Sequence, residues 1–198
     1  MSELRHLHID RYIRRYGIRS FVETGTNNGQ GLEYALTLDP PLKRFDTCDL
    51  LPQFAGPASE RWKDDKRVHI VCADSLTFLR QLPLWIGPSL YWLDAHQPWC
   101  YDQSIVETDE TKFPVMREIA IIKERPCYEQ DVIILDDLIA LRESPRWHAG
   151  EIAEYFQIQS FTFRDLLWSL NDTHTAEIDL QQEGTVRFLP RRPKQDAV

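Results

Sequence analysis

Three short apolar runs in this chain stop abruptly in polar residues, and that pattern narrows what it can fold into. The run at residues 89–93 leads into Asp94 and, two positions on, His96, within WLDAHQPW. About forty residues later VIILDDL repeats the pattern and ends in Asp136 and Asp137. Near the start, FVETGTNNGQG carries Glu23 with Gly25, Gly29 and Gly31. Continuous apolar runs of this length read as parallel strands buried on both faces. In open α/β sheets, ligands bind just beyond the carboxyl ends of such strands. Three polar strand ends in one small chain therefore describe a site.

The remaining elements fit that frame. Residues 3–16 place Leu4, Leu7, Tyr12, Ile13 and Tyr16 among arginines, an amphipathic helix with Gly17 as its C-cap. A first strand at 18–23 is followed by the glycine-rich turn and a helix at 32–38, stopped by Pro40 and Pro41. A second strand at 44–50 contains Asp49, and a short helix at 57–66 precedes a third strand at 68–72. Ser75 can cap the next helix, 76–82. Strands at 89–93 and 131–135 flank a helix at 114–123, and another short helix is expected at 151–156. Two strand-like runs around Glu183-Gly184 signal a closing hairpin. With right-handed crossovers, this order predicts an α/β fold. It is a doubly wound, seven-stranded, mostly parallel sheet with a C-terminal antiparallel hairpin, formed by residues 1–198 as one domain.

Bulk properties exclude several classes. The 198 residues carry 31 acidic and 23 basic side chains, a net charge of −8, which argues against nucleic acid as a partner. No apolar run is long enough to cross a bilayer, and the charged N-terminus lacks a signal-peptide core. No membrane association and a cytoplasmic location are the expectation. The four cysteines have no CxxC spacing, and a reduced cysteine in an apolar stretch acts as a small hydrophobe.

The glycine turn suits a nucleotide cofactor, because glycine lets the backbone approach a ligand with no Cβ in the way. A dinucleotide loop would want G-x-G-x-x-G. Here the order is G-x-x-x-G-x-G, with Glu23 two positions before the first glycine. A carboxylate beneath the turn repels phosphate and suits a cationic ligand. A purely structural strand–helix turn is the alternative.

FVETGTNNGQG resembles the first motif of class I S-adenosylmethionine-dependent methyltransferases. With LDAH and LDD in order at later strand ends, the chain is most similar to the macrocin and novobiocin type of sugar and small-molecule O-methyltransferases, over residues 18–190. The resemblance implies S-adenosylmethionine as cofactor, bound by Glu23, Thr24, Gly25, Thr26 and Gly29. Asp49 would accept from the ribose hydroxyls and Asp74 and Ser75 would contact adenine, although these two also suit a helix cap. It further implies a divalent cation, Mg²⁺ by its preference for oxygen, held by Asp94, Asp136 and Asp137.

His96 departs from the D-x-D pattern of the novobiocin-type enzymes, in which the second acid is the proposed base. Histidine titrates near neutral pH and suits removal of a hydroxyl proton. It also suits metal ligation or a buried hydrogen bond. The expected catalytic pair is His96 with Asp94. The long polar segment 97–114 has the length of a binding loop; Trp99 and Tyr101 suit an acceptor wall, and Glu107, Asp109 and Glu110 read first as a solvated charged run and secondly as contacts to sugar hydroxyls. The expected partner is a small-molecule hydroxyl acceptor. With one helix before the first strand, the expectation is an acceptor lid that is either reduced or supplied by another subunit of a homo-oligomer. Rivals from other classes are a non-catalytic cofactor- or metal-binding protein and a nicotinamide-dependent oxidoreductase.

Overall fold

The computed structural model describes residues 3–96, 112–146 and 160–191. Seven strands form one sheet: β1 (Ser20–Thr24), β2 (Arg44–Asp49), β3 (Val68–Cys72), β4 (Ser89–Leu93), β5 (Val132–Leu135), β6 (His174–Asp179) and β7 (Thr185–Pro190). Their order is 3-2-1-4-5-7-6. The first five strands pair in parallel, and β7 runs antiparallel to both β5 and β6. The predicted doubly wound sheet with its closing hairpin is therefore the architecture observed.

Burial follows position in the sheet. Every residue of β1, β4 and β5 is buried, whereas the edge strands β3 and β6 alternate or lie open. Alternate side chains along the central strands feed two cores. Val22, Tyr91, Leu93, Ile133 and Leu135 pack on one face, against α4 (Ser75–Gln81), α5 (Val115–Lys123) and α6 (Phe163–Ser169). Phe21, Leu90, Trp92, Val132 and Ile134 pack on the other, against α1 (Asp10–Tyr16), α2 (Gln30–Ala35) and the 3-10 turn Glu3–Leu7. A fully buried side chain of this size contributes about 1.5–3 kcal/mol, so these two layers hold the sheet's carboxyl ends in place.

Several boundaries differ from the sequence-based expectation. The N-terminal helix is two pieces, because His8 takes a left-handed φ of 48° between them. Gly17 does cap α1, with a φ of 63° and its N–H on the Ile13 carbonyl. The helix α3 (Pro52–Arg61) starts five residues before the expected 57. Pro52 occupies the first turn, where its missing N–H costs nothing, and Pro57 is accommodated further in. Asp74, not Ser75, caps α4, accepting from the Thr77 N–H at 2.9 Å. The helix α6 was not expected at all. A capping box formed by Thr162 and Asp165 opens it. The expected helix at 151–156 and the acceptor-loop residues Trp99, Tyr101, Glu107, Asp109 and Glu110 lie outside the described residues. No helix among the described residues is long and apolar enough to cross a membrane.

Candidate active site

The carboxyl ends of β1, β2 and β4 are tied together by the backbone itself. The N–H groups of Gly25 and Thr26 both donate to the Cys48 carbonyl at 2.9 Å, and the Asp94 N–H donates to the Thr24 carbonyl at 3.0 Å. Gly25 has a φ of 92°, and a Cβ there would lie 2.5 Å from the Asp94 carbonyl oxygen. Only glycine permits that approach. Gly29, at φ 72°, faces the Trp62 ring, which a Cβ would meet at 2.5 Å.

Glu23 sits beneath the turn with only 2% of its surface exposed. Its Oε2 accepts from the Thr47 hydroxyl at 2.7 Å, and Thr47 in turn accepts from Thr26 at 2.6 Å. Burial pushes the Glu23 carboxyl up to about 8; the Thr47 hydrogen bond opposes this, and Asp94 and Asp49 add to it. Without a ligand it is therefore largely neutral near pH 7, ready to ionise beside a cation.

Asp49 takes two backbone N–H groups, from Asn27 at 2.8 Å and Leu51 at 2.9 Å. It thereby links the glycine turn to the start of α3. Asp74 spends one oxygen on its helix cap. Ser75 points inward, 6% exposed, with its hydroxyl beside Glu118.

Beyond β4 and β5, His96 lies between two carboxylates. Its Nδ1 is 3.3 Å from Asp94 Oδ1, and its Nε2 is paired with Asp137 Oδ2. Trp92 Nε1 donates to the other Asp94 oxygen at 3.3 Å, and Phe113 lies against the imidazole at 5.9 Å between ring centroids. Burial disfavours the imidazolium, but Asp137 outweighs it, with Asp94 and Glu183 contributing, so His96 is raised to about 9. His96 correspondingly holds Asp137 below the ordinary carboxylate range, despite burial.

Asp94, His96 and Asp137 each offer a ligand atom, all within 4.8 Å of one another. Asp136 is not in that group. It is buried, and its Oδ1 accepts from the Asp137 N–H at 2.9 Å. Of the three expected aspartates, Asp94 and Asp137 are brought together with His96, while Asp136 turns an oxygen to the Asp137 N–H. The chain turns at Asp137 through a left-handed φ of 58°, which separates the directions of the two neighbouring acids.

Two site residues escaped sequence reasoning. Glu183, read only as a hairpin turn, lies close enough to Asp137 and His96 to act on both. Glu118 is 1% exposed on α5. Burial pushes its carboxyl up to about 7 against the Ser75 and Thr24 hydroxyls and the charge on His96, with Asp94 opposing them. Its signal was positional: Val115, Ile119 and Ile122 are buried on one stripe of α5, and an acid at 118 falls within it.

No family model matches the sequence, and no curated protein matches it. Solved structures do. An O-methyltransferase from Bacillus cereus, in complex with S-adenosylhomocysteine (SAH), superposes with a TM-score of 0.61 at 15% identity, over 96% of this chain and 82% of that one. A methyltransferase from Geobacter sulfurreducens gives 0.55 at 11%, over 92% and 75%. The N-methyltransferase NodS from Bradyrhizobium japonicum WM9, also with SAH, gives 0.50 at 15%, over 96% and 89%. At these identities the likeness defines the fold. Together with the strand order and the antiparallel β7, it makes this a chain with the Rossmann-like class I methyltransferase fold.

Proposed function

We propose that this chain is an S-adenosylmethionine-dependent O-methyltransferase acting on a hydroxyl of a small molecule, a sugar or polyhydroxylated metabolite. The observation that carries the proposal is the convergence of Asp94, His96 and Asp137 within 4.8 Å at the ends of β4 and β5, beside a turn that presses Gly25 onto Asp94. The likeness of ETGT, LDAH and LDD to macrocin- and novobiocin-type enzymes supports the acceptor class. The described residues belong to one sheet and its two packed faces, which supports a single domain.

In this reading Glu23 balances the positive methionine end of the cofactor, with Thr24 and Thr26 fixing the turn around it. Gly25 and Gly29 keep the turn free of side chains. Asp49 faces the ribose, and Asp74 and Ser75 define the adenine end. His96 takes the acceptor proton through Nδ1, the side on which Asp94 stands at 3.3 Å, while Asp137 holds Nε2 and stabilises the imidazolium. When bound, S-adenosylmethionine would supply an electrophilic methyl group, whose carbon–sulfur bond would break as the acceptor oxygen bonds to it, leaving S-adenosylhomocysteine. Alignment of acceptor and cofactor in one cleft accounts for much of the rate.

The same donor set fits a divalent cation. Asp94, Asp137 and the imidazole of His96 would hold it, and one nitrogen with two carboxylates suits Mn²⁺, Fe²⁺ or Zn²⁺ better than an all-oxygen Mg²⁺ site. When bound, it would lower the pKa of an acceptor hydroxyl. Cation and proton compete for His96, so rate measurements with chelator and with added metal separate the two modes. The proposal is tested by following transfer of a labelled methyl group from S-adenosylmethionine to a panel of hydroxylated acceptors. Labelled product supports it. Cofactor binding without transfer to any acceptor would instead identify a non-catalytic binding protein.

A further inference from the structure

The amino ends of three neighbouring strands meet in one surface. Arg19, Lys43 and Pro88 stand directly before β1, β2 and β4, whose first residues are in register. The backbone carries that rung one residue further: the Arg19 N–H donates to the Pro88 carbonyl and the Lys43 N–H to the Arg19 carbonyl, both at 2.8 Å. The loop between α4 and β4 is fixed there too. The Ser20 hydroxyl donates to the Ile86 carbonyl at 2.5 Å, and Arg125 donates to the Pro83 carbonyl. The stem of Arg19 lies along Gly87, where a Cβ would meet it at 3.4 Å.

That anchored loop presents two large apolar side chains to water: Leu84 is 73% exposed and Trp85 56%. Cations flank them. Arg19 and Lys43 are exposed, as is Arg80 in the last turn of α4, four residues before Leu84. Among the described residues none of the three forms an ion pair. Three acids at this end of the sheet are already engaged. Asp39 pairs with Arg14 and Asp65 with Arg67, both at 2.6 Å, and buried Asp131 accepts from the Ser89 N–H. Glu124 and Glu129 lie further along, before β5.

A protruding apolar pair among free cations fits an anionic bilayer. A fluid interface needs no matching pocket, tryptophan favours its headgroup level, and arginine and lysine meet its phosphates. A second copy docked symmetrically would set Arg19 and Lys43 against their own counterparts. The net charge of −8 opposes an anionic surface, but beyond about 8 Å physiological salt screens it, so the local cations decide.

We propose that the amino end of the sheet docks on an anionic membrane surface, with Leu84 and Trp85 entering the interface and Arg19, Lys43 and Arg80 meeting lipid phosphates. The strand ends that carry Glu23, Asp94 and His96 then face away from the bilayer. The expectation of no membrane association rested on the lack of a spanning segment, and docking of this kind needs none.

The test is co-sedimentation of the full chain with vesicles of phosphatidylglycerol and phosphatidylcholine in equal parts, against vesicles of phosphatidylcholine alone. Partition onto the anionic vesicles is expected to be stronger by at least about tenfold and to weaken as salt rises. Leu84→Ser with Trp85→Ser, and separately Arg19→Glu with Lys43→Glu, should each reduce it by about tenfold or more, with melting temperatures close to wild type. No partition onto the anionic vesicles overturns the inference, as does equal partition onto both kinds. Partition that survives the loss of Leu84 and Trp85 overturns it too. Self-association without lipid, abolished by the same substitutions in sedimentation velocity, would assign the patch to a second copy and contradict the bilayer.

Discussion

Gly25 and Asp94 are in backbone contact: a Cβ on the glycine would stand 2.5 Å from the aspartate's carbonyl oxygen. The turn that would carry the cofactor is thus braced against the strand end that holds Asp94 and leads to His96. Gly25→Ala must push these apart, and it adds strain at a φ of 92°. A shift of about 1 Å can cost a hundredfold in a positioned site. We expect SAH affinity to fall by about that factor, measured by calorimetry; wild-type affinity in Gly25→Ala would refute the contact's role.

Under the proposed function, Glu23 would link cofactor affinity to pH. In the free protein burial raises its carboxyl to about 8, whereas a bound ammonium favours the ionised form and lowers that value. Binding therefore releases a proton, and affinity should rise with pH up to about 8 and then level. Titrations in buffers of different ionisation enthalpy measure the proton directly. Glu23→Gln should bind at least about tenfold more weakly and lose the pH dependence. Proton-free binding by the wild type would contradict this.

His96 should govern turnover and not cofactor binding. His96→Asn is expected to keep SAH affinity within about threefold while kcat falls by roughly 10²–10⁴. Asp137 holds the imidazolium, so the wild-type rate should climb as pH approaches about 9. Asp137→Asn should move that rise toward neutrality. Equal loss of binding and turnover in His96→Asn would mean the residue is structural.

Metal binding should distinguish the three acids. Asp94→Asn and Asp137→Asn are expected to abolish Mn²⁺ binding, whereas Asp136→Asn should leave it near wild type, since Asp136 lies outside the three-residue cluster. A proton must leave His96 first, so affinity should increase about tenfold per pH unit below the imidazole's pKa. Calorimetry or manganese electron resonance measures it. Loss of binding in Asp136→Asn would restore the all-aspartate site that the family resemblance implies.

The central strands were legible because strands buried on both faces are apolar throughout: Ser89–Leu93 matches its expected bounds residue for residue, and the more open edge strand Val68–Cys72 was bounded as well by its β-branched residues. The helices were less so. Two prolines hid the start of α3, and α6 is only seven residues long with Trp168 exposed. Its Thr162–Asp165 capping box was the one available signal. At the site, the acids were visible as residue types, but their directions were not. Nothing in Asp136-Asp137 says which one turns toward His96, because a single left-handed residue decides it. Glu118 went unread because one acid in an amphipathic helix ordinarily faces water.

The central claim is that this fold binds S-adenosylmethionine in the cleft above β1, β2 and β4. Titration of SAH into the purified chain tests it most directly. We predict saturable heat for one site together with a raised melting temperature, since a ligand that prefers the native state stabilises it. No heat and no thermal shift at millimolar ligand would contradict the account.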